Sequence, residues 1–206
     1  MKKLFTYFCA LLICAQSLSA GEKDFFSRFH PGLEWGYTAT CFNYHHFNYL
    51  DKSIGFRISD KDWESRYNTN AFVYGTLDFD LFRTVSTSIL LGFEGIDRGR
   101  QIIPLLGRVS YHPEGLDNDG IFIFLDGGIA IKNRENDKYV NQSQLGAGYS
   151  MVLSEGSRLC FKVGFRVAYD RPDVWDPIEE EYVSADNIRC NDAWYCAFKF
   201  GVSLSF

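Results

Sequence analysis

An all-β chain closed into an eight-stranded, antiparallel, up-and-down transmembrane barrel is the fold this sequence predicts. Three observations carry that expectation. Eight segments alternate apolar and polar residues, the period-two mark of strands with two unlike faces. No charged residue falls on the apolar parity of any of them. The connections between them alternate between short turns and longer polar stretches, as in a hairpin barrel with one plain and one elaborated end.

The first segment, Gly32–Tyr44, sets Leu33, Trp35, Tyr37 and Ala39 against Glu34, Gly36, Thr38 and Thr40. The second, Asn70–Phe82, puts Ala71, Val73, Leu77, Phe79 and Leu81 opposite Asp78. In the third, Val85–Gly95, the apolar parity is Val85, Ile89, Leu91 and Phe93, and Glu94 lies on the other. The fourth, Ile102–His112, opposes Ile103, Leu105, Val109 and Tyr111 to Arg108 and Ser110. The fifth, Ile121–Lys132, places Asp126 opposite Ile121, Ile123, Leu125, Ile129 and Ile131; Phe122 and Phe124 share the side of Asp126. The sixth, Gln144–Leu153, alternates Leu145, Ala147, Tyr149, Met151 and Leu153 with Gly146, Gly148 and Ser150. The seventh, Leu159–Asp170, sets Leu159, Phe161, Val163, Phe165, Val167 and Tyr169 against Lys162 and Arg166. The last, Ala193–Phe206, opposes Trp194, Cys196, Phe198, Phe200, Val202, Leu204 and Phe206 to Lys199, Gly201 and Ser203. Most segments have the length a tilted strand needs to cross a bilayer.

Which face points outward follows from volume and charge. The interior of an eight-stranded barrel is just wide enough for side chains. The apolar parity, rich in rings and branched residues, is too bulky for it; the Gly- and Ser-lightened polar parity fits. A lysine or arginine on the lipid face at the bilayer midplane costs about 2–4 kcal/mol, and the apolar parity carries none. Glu34, Asp78, Glu94, Asp126, Arg108, Lys162, Arg166 and Lys199 therefore form the expected interior network, four acids with four bases. Trp35, Tyr37, Tyr111 and Phe206 are expected in an aromatic girdle at the short-turn end, Tyr169 and Trp194 in one at the long-loop end. With the faces reversed, the same pattern describes a soluble secreted barrel around a hydrophobic ligand.

The turns "RT", "PEGLDNDG" and "SEGSR" are short. The longer connections are 47–69, 96–101, 133–141 and 171–192. The start, "MKKLFTYFCALLICAQSLSA", has two lysines, an apolar run and small residues before position 21. It reads as a secretory signal peptide over residues 1–20, leaving one barrel domain over 21–206. Without it the formal charge is about -7, which argues against nucleic-acid binding. Cys41, Cys160, Cys190 and Cys196 fit no zinc spacing and no disulfide framework. Cys41 and Cys196 lie on the first and last strands; a bridge and two packed thiols both remain open.

The closing stretch "FKFGVSLSF" completes a resemblance to the small eight-stranded outer-membrane β-barrel proteins, the group of outer-membrane protein X and the membrane domain of outer-membrane protein A. It covers the whole mature chain. In that group the last strand ends on an aromatic residue after alternating apolar positions, and the barrel assembly machinery reads it as an insertion signal. Phe200, Val202, Leu204 and Phe206 match those positions. The resemblance implies export to the outer membrane of a Gram-negative bacterium and contact with lipopolysaccharide.

Function is expected to be non-enzymatic: a barrel with a plugged, charge-paired interior that serves envelope structure or meets an extracellular partner through its loops. No cofactor and no metal ion is expected. The last loop offers Trp175, Glu179, Glu180, Glu181 and Tyr182 as a contact surface, since exposed aromatics favour partners. A lipid A-modifying enzyme is the main alternative; Ser110, His112 and Glu114 supply a hydroxyl, a base and an acid within "SYHPEG". A small-solute channel is another. His45 and His46 are adjacent on a strand, so their rings point to opposite faces and chelate poorly as a pair.

Overall fold

The computed structural model describes residues 28–97, 100–132, 139–154, 156–176, 178 and 180–206. The expected signal peptide and Glu179 lie outside the described residues. The chain forms β1 (Phe29–Leu50), β2 (Arg57–Phe82), β3 (Val85–Asp97), β4 (Arg100–Tyr111), β5 (Gly120–Lys132), β6 (Tyr139–Ser154) and β7 (Ser157–Asp170). A two-residue ribbon of β8 (Trp175–Asp176) and β9 (Glu181–Tyr182) precedes the closing strand β10 (Ile188–Ser205). β1 through β7 and β10 make one closed barrel in which every chain neighbour is an antiparallel hydrogen-bonded neighbour, and β10 returns to β1.

The two parities separate as the alternation predicts. Trp35, Val73, Ile89, Leu105, Ile123, Leu145, Val163 and Phe200 are among the large apolar side chains exposed on the outer wall, at least one from each barrel strand. A continuous apolar surface of this kind is not stable against water and matches lipid. Glu34, Glu94, Arg108, Asp126, Arg166 and Lys199 are buried inside.

The barrel closes where β1 meets β10, with Gly36 opposite Gly201 and Thr38 opposite Lys199. A bulge at Cys41 shifts the register between Thr40 and Phe42, so the faces exchange parity above it: Asn43 and Tyr49 are buried while Phe42 is exposed. The four cysteines among the described residues are all free, which leaves Cys41 and Cys196 as thiols. Beyond the ladder, the Phe206 amide donates to the Pro31 carbonyl at 2.9 Å, tying the last residue to the first strand.

Three features depart from the sequence expectation. β1 and β2 run much further than Gly32–Tyr44 and Asn70–Phe82; they continue as a hairpin paired out to Leu50 and Arg57. There most of β2 is exposed on either face, so the ladder persists while the alternation that reveals it fades. Tyr37 lies opposite Phe200, midway between Trp194 and Phe206 along β10, and so sits in the middle of the wall rather than at the short-turn end. The lumen is also less polar than the charged parity suggests. Phe72, Tyr74, Leu90 and Leu106 form one apolar cluster inside it. Ile96, Ile102, Ala130, Val140, Ala168, Ala193 and Tyr195 form another near the long-loop end.

Phe122 and Phe124 do point inward, both buried. Glycines on β6 admit them: a Cβ at Gly146 would lie 2.4 Å from the Phe124 ring, and one at Gly148 would lie 2.6 Å from that of Phe122.

Candidate functional site

The polar interior is layered along the barrel axis. At the short-turn end, Asp80 accepts from Arg158 at 2.8 Å and lies 3.3 Å from the His30 ring. Sequence inspection passes over this group because its members sit at the ends of their segments.

Above it lies a four-membered cluster. Arg108 on β4 donates to both oxygens of Asp126 on β5, at 2.7 and 2.8 Å, in the two-pronged geometry a guanidinium favours. It also donates to Glu34 on β1 at 2.5 and 3.2 Å, and Lys162 on β7 donates to Glu34 at 2.7 Å. The guanidinium rests on the Phe124 ring, 4.7 Å from its centre. Two acids and two bases cancel within this layer.

The next layer centres on Glu94 of β3. Arg166 and Lys199 both pair with it. Gln142 and Thr38 donate to it at 3.0 and 3.2 Å, and the Tyr74 hydroxyl donates to it as well. Lys199 also donates to the Tyr74 oxygen and lies 4.2 Å from the centre of the Phe72 ring. Here one carboxylate serves two cations. Nε and Nη2 of Arg166, buried, have no hydrogen-bond partner among the described residues.

Nearer the long-loop end, Lys132 donates to Asp170 at 2.8 Å. Of the eight residues expected in the interior network, seven fall into the two central clusters. Asp78 is half-buried and joins neither among the described residues.

The group Ser110, His112 and Glu114 is not assembled. Glu114 is exposed, whereas His112 is buried and stacked on Phe122 with ring centres 4.7 Å apart. Ser110 is buried in the lumen.

At the other mouth, a cavity of about 540 Å³ opens between the β1–β2 hairpin and the last loop, lined among others by Asn43, Tyr49, Asp60, Arg100, Trp175 and Tyr195. The ribbon above it presents Trp175 and Tyr182, both exposed, edge to face at 5.1 Å between ring centres. Glu181 on β9 is exposed, and Glu180 occupies the left-handed turn position at φ 52°.

His45 and His46 point to opposite sides of the wall, as adjacent strand residues must. His45 meets Asp60 at 3.0 Å. His46 meets Cys190 of β10, with Nδ1 3.4 Å from Sγ.

No family model matches the chain, and no curated protein does. Among solved structures, the chain is similar to the outer membrane protein OprG from Pseudomonas aeruginosa, at 10% identity and a TM-score of 0.48, over 86% of this chain and 95% of that one.

Proposed function

We propose that this chain is an exported integral outer-membrane protein: a signal peptide over residues 1–20, then one barrel whose lumen is plugged by its own ion pairs. Its role is structural or adhesive, exercised through the loops at the long-loop end. One observation carries this reading: an apolar outer wall on every barrel strand encloses two buried ion clusters, in a barrel of a size that side chains alone can fill. The paired charges favour a seal over a conduit, because moving any one of them to admit a solute strands its partners in a low-dielectric interior. The exposed aromatic ribbon with its acidic turn supports contact with an extracellular partner, and Phe200, Val202, Leu204 and Phe206 support recognition of β10 by the assembly machinery. Lipopolysaccharide is the expected lipid neighbour of the upper wall.

The test is fractionation with gel analysis. The full chain is expressed in a Gram-negative host and the outer membrane is isolated. The expected outcome is a band that needs detergent for extraction and shifts on boiling, together with no stepwise conductance in planar bilayers. Recovery in the periplasmic soluble fraction overturns the membrane assignment; steady single-channel current overturns the plug.

A further inference from the structure

The outer face of the barrel seam, just above Tyr169 and Trp194, whose ring centres lie 4.9 Å apart, carries three metal-ligating side chains at one point. His46 lies directly opposite Asp192 in the β1–β10 ladder, and Asn48 lies opposite Cys190. Side chains two residues apart on a strand share a face. Cys190 and Asp192 therefore point the same way as exposed Trp194, and His46 joins them from the facing strand. One donor atom from each of the three lies within 4.8 Å of the other two.

The donor spacing is that of a coordination sphere. Bonds of about 2.3 Å to sulfur and 2.0–2.2 Å to nitrogen or oxygen, set at tetrahedral angles, separate adjacent donors by about 3.5 Å. Sγ of Cys190 is 3.4 Å from Nδ1 of His46 and 3.1 Å from Oδ2 of Asp192. The carboxylate is also oriented from behind. Its other oxygen, Oδ1, accepts from the Tyr169 hydroxyl and lies 3.7 Å from Nε of Arg171, leaving Oδ2 turned toward the sulfur. An outer group that holds a ligand's far atom is the usual support of a metal site. A thiol–imidazole catalytic arrangement fits less well, because the acid contacts the cysteine and not the histidine.

We propose that His46, Cys190 and Asp192 bind a zinc-class divalent cation at the outer rim of the seam, with Tyr169 as the positioning residue for Asp192. Thiolate, imidazole and carboxylate together suit a borderline-soft ion such as zinc better than calcium or magnesium, which take oxygen donors alone. Three protein ligands leave at least one position for water or an external anion. The site joins β1 to β10 where the first and last barrel strands meet, so occupancy staples the closure of the barrel at its outer end. All three groups are only half-buried, which leaves the ion an entry path from outside.

The test uses the folded full barrel in detergent, its folding checked by the heat-dependent gel shift. Cobalt(II) chloride is titrated in, and thiolate-to-cobalt charge-transfer absorption is recorded. Zinc chloride is then added in competition. The expected result is saturation at one equivalent, with the band abolished in Cys190→Ser and retained in Cys160→Ser. In His46→Gln, affinity falls by about 100-fold; in Tyr169→Phe, by about 10-fold or more, the range for loss of an outer-shell partner. Absence of the band in the unmodified protein, or its persistence in folded Cys190→Ser, overturns the proposal. Unchanged affinity in folded His46→Gln does so as well.

Discussion

The two ion clusters of the lumen solve the same problem in different ways. Around Arg108, two acids and two bases cancel, and each carboxylate contacts Arg108. Around Glu94, one carboxylate holds two cations, and Tyr74, Gln142 and Thr38 supply neutral donors to the same two oxygens. The first cluster spreads its risk over several partners; the second concentrates it on a single residue. A buried charge left without a partner is far more costly than an ion pair is favourable. The balance of charge inside each layer, more than the number of contacts, should therefore decide how the barrel responds to substitution.

The sharpest way to break this comparison is to remove the hub. Glu94→Leu leaves Arg166 and Lys199 uncompensated in a buried layer, and unfolding stability should fall by about 3–5 kcal/mol. Urea titration of the barrel refolded into lipid vesicles measures it. A loss below about 1 kcal/mol would mean that water reaches this layer and that the plug is not dry. In the balanced cluster, Asp126→Asn removes one acid but leaves Arg108 its bonds to Glu34. The expected loss is smaller, about 2 kcal/mol, the scale of a charged hydrogen bond. If Asp126→Asn costs as much as Glu94→Leu, shared pairing gives no protection.

Much of this architecture is legible in the sequence, for one physical reason. An apolar exterior and a side-chain-filled interior impose opposite demands on alternate residues, so parity alone places Glu34, Glu94, Arg108, Asp126, Lys162, Arg166 and Lys199 inside. What parity does not report is identity of partner. Asp78 has the right parity and joins neither cluster, while Asp80 and Arg158, at the edges of the alternating segments, pair with each other. Inward Leu90, Leu106 and Ile102 go unnoticed because an apolar residue on the polar parity looks like a weak strand rather than a luminal wall. The β1–β2 hairpin extends beyond the apolar belt, where nothing enforces alternation. The His46–Cys190 contact joins residues 144 apart in the chain and depends on the closing register, which no local pattern encodes.

The finest test of the charge-balance argument compares two lysines. Lys199→Met removes one of two cations from the Glu94 layer and leaves Glu94 with Arg166, one against one. The lost attraction is offset by the relief of desolvating an ammonium, so the expected change is within about 1 kcal/mol in either direction. Lys162→Met removes a cation from a layer already neutral and leaves Glu34 and Asp126 to share Arg108. That change should cost more than Lys199→Met, although Lys162 makes a single ion pair among the described residues and Lys199 also contacts Tyr74 and Phe72. Contact counting predicts the opposite order. Paired urea titrations of the two variants in the same vesicles decide between them. A larger loss for Lys199→Met would show that local packing, and not the charge sum of each layer, holds the lumen closed.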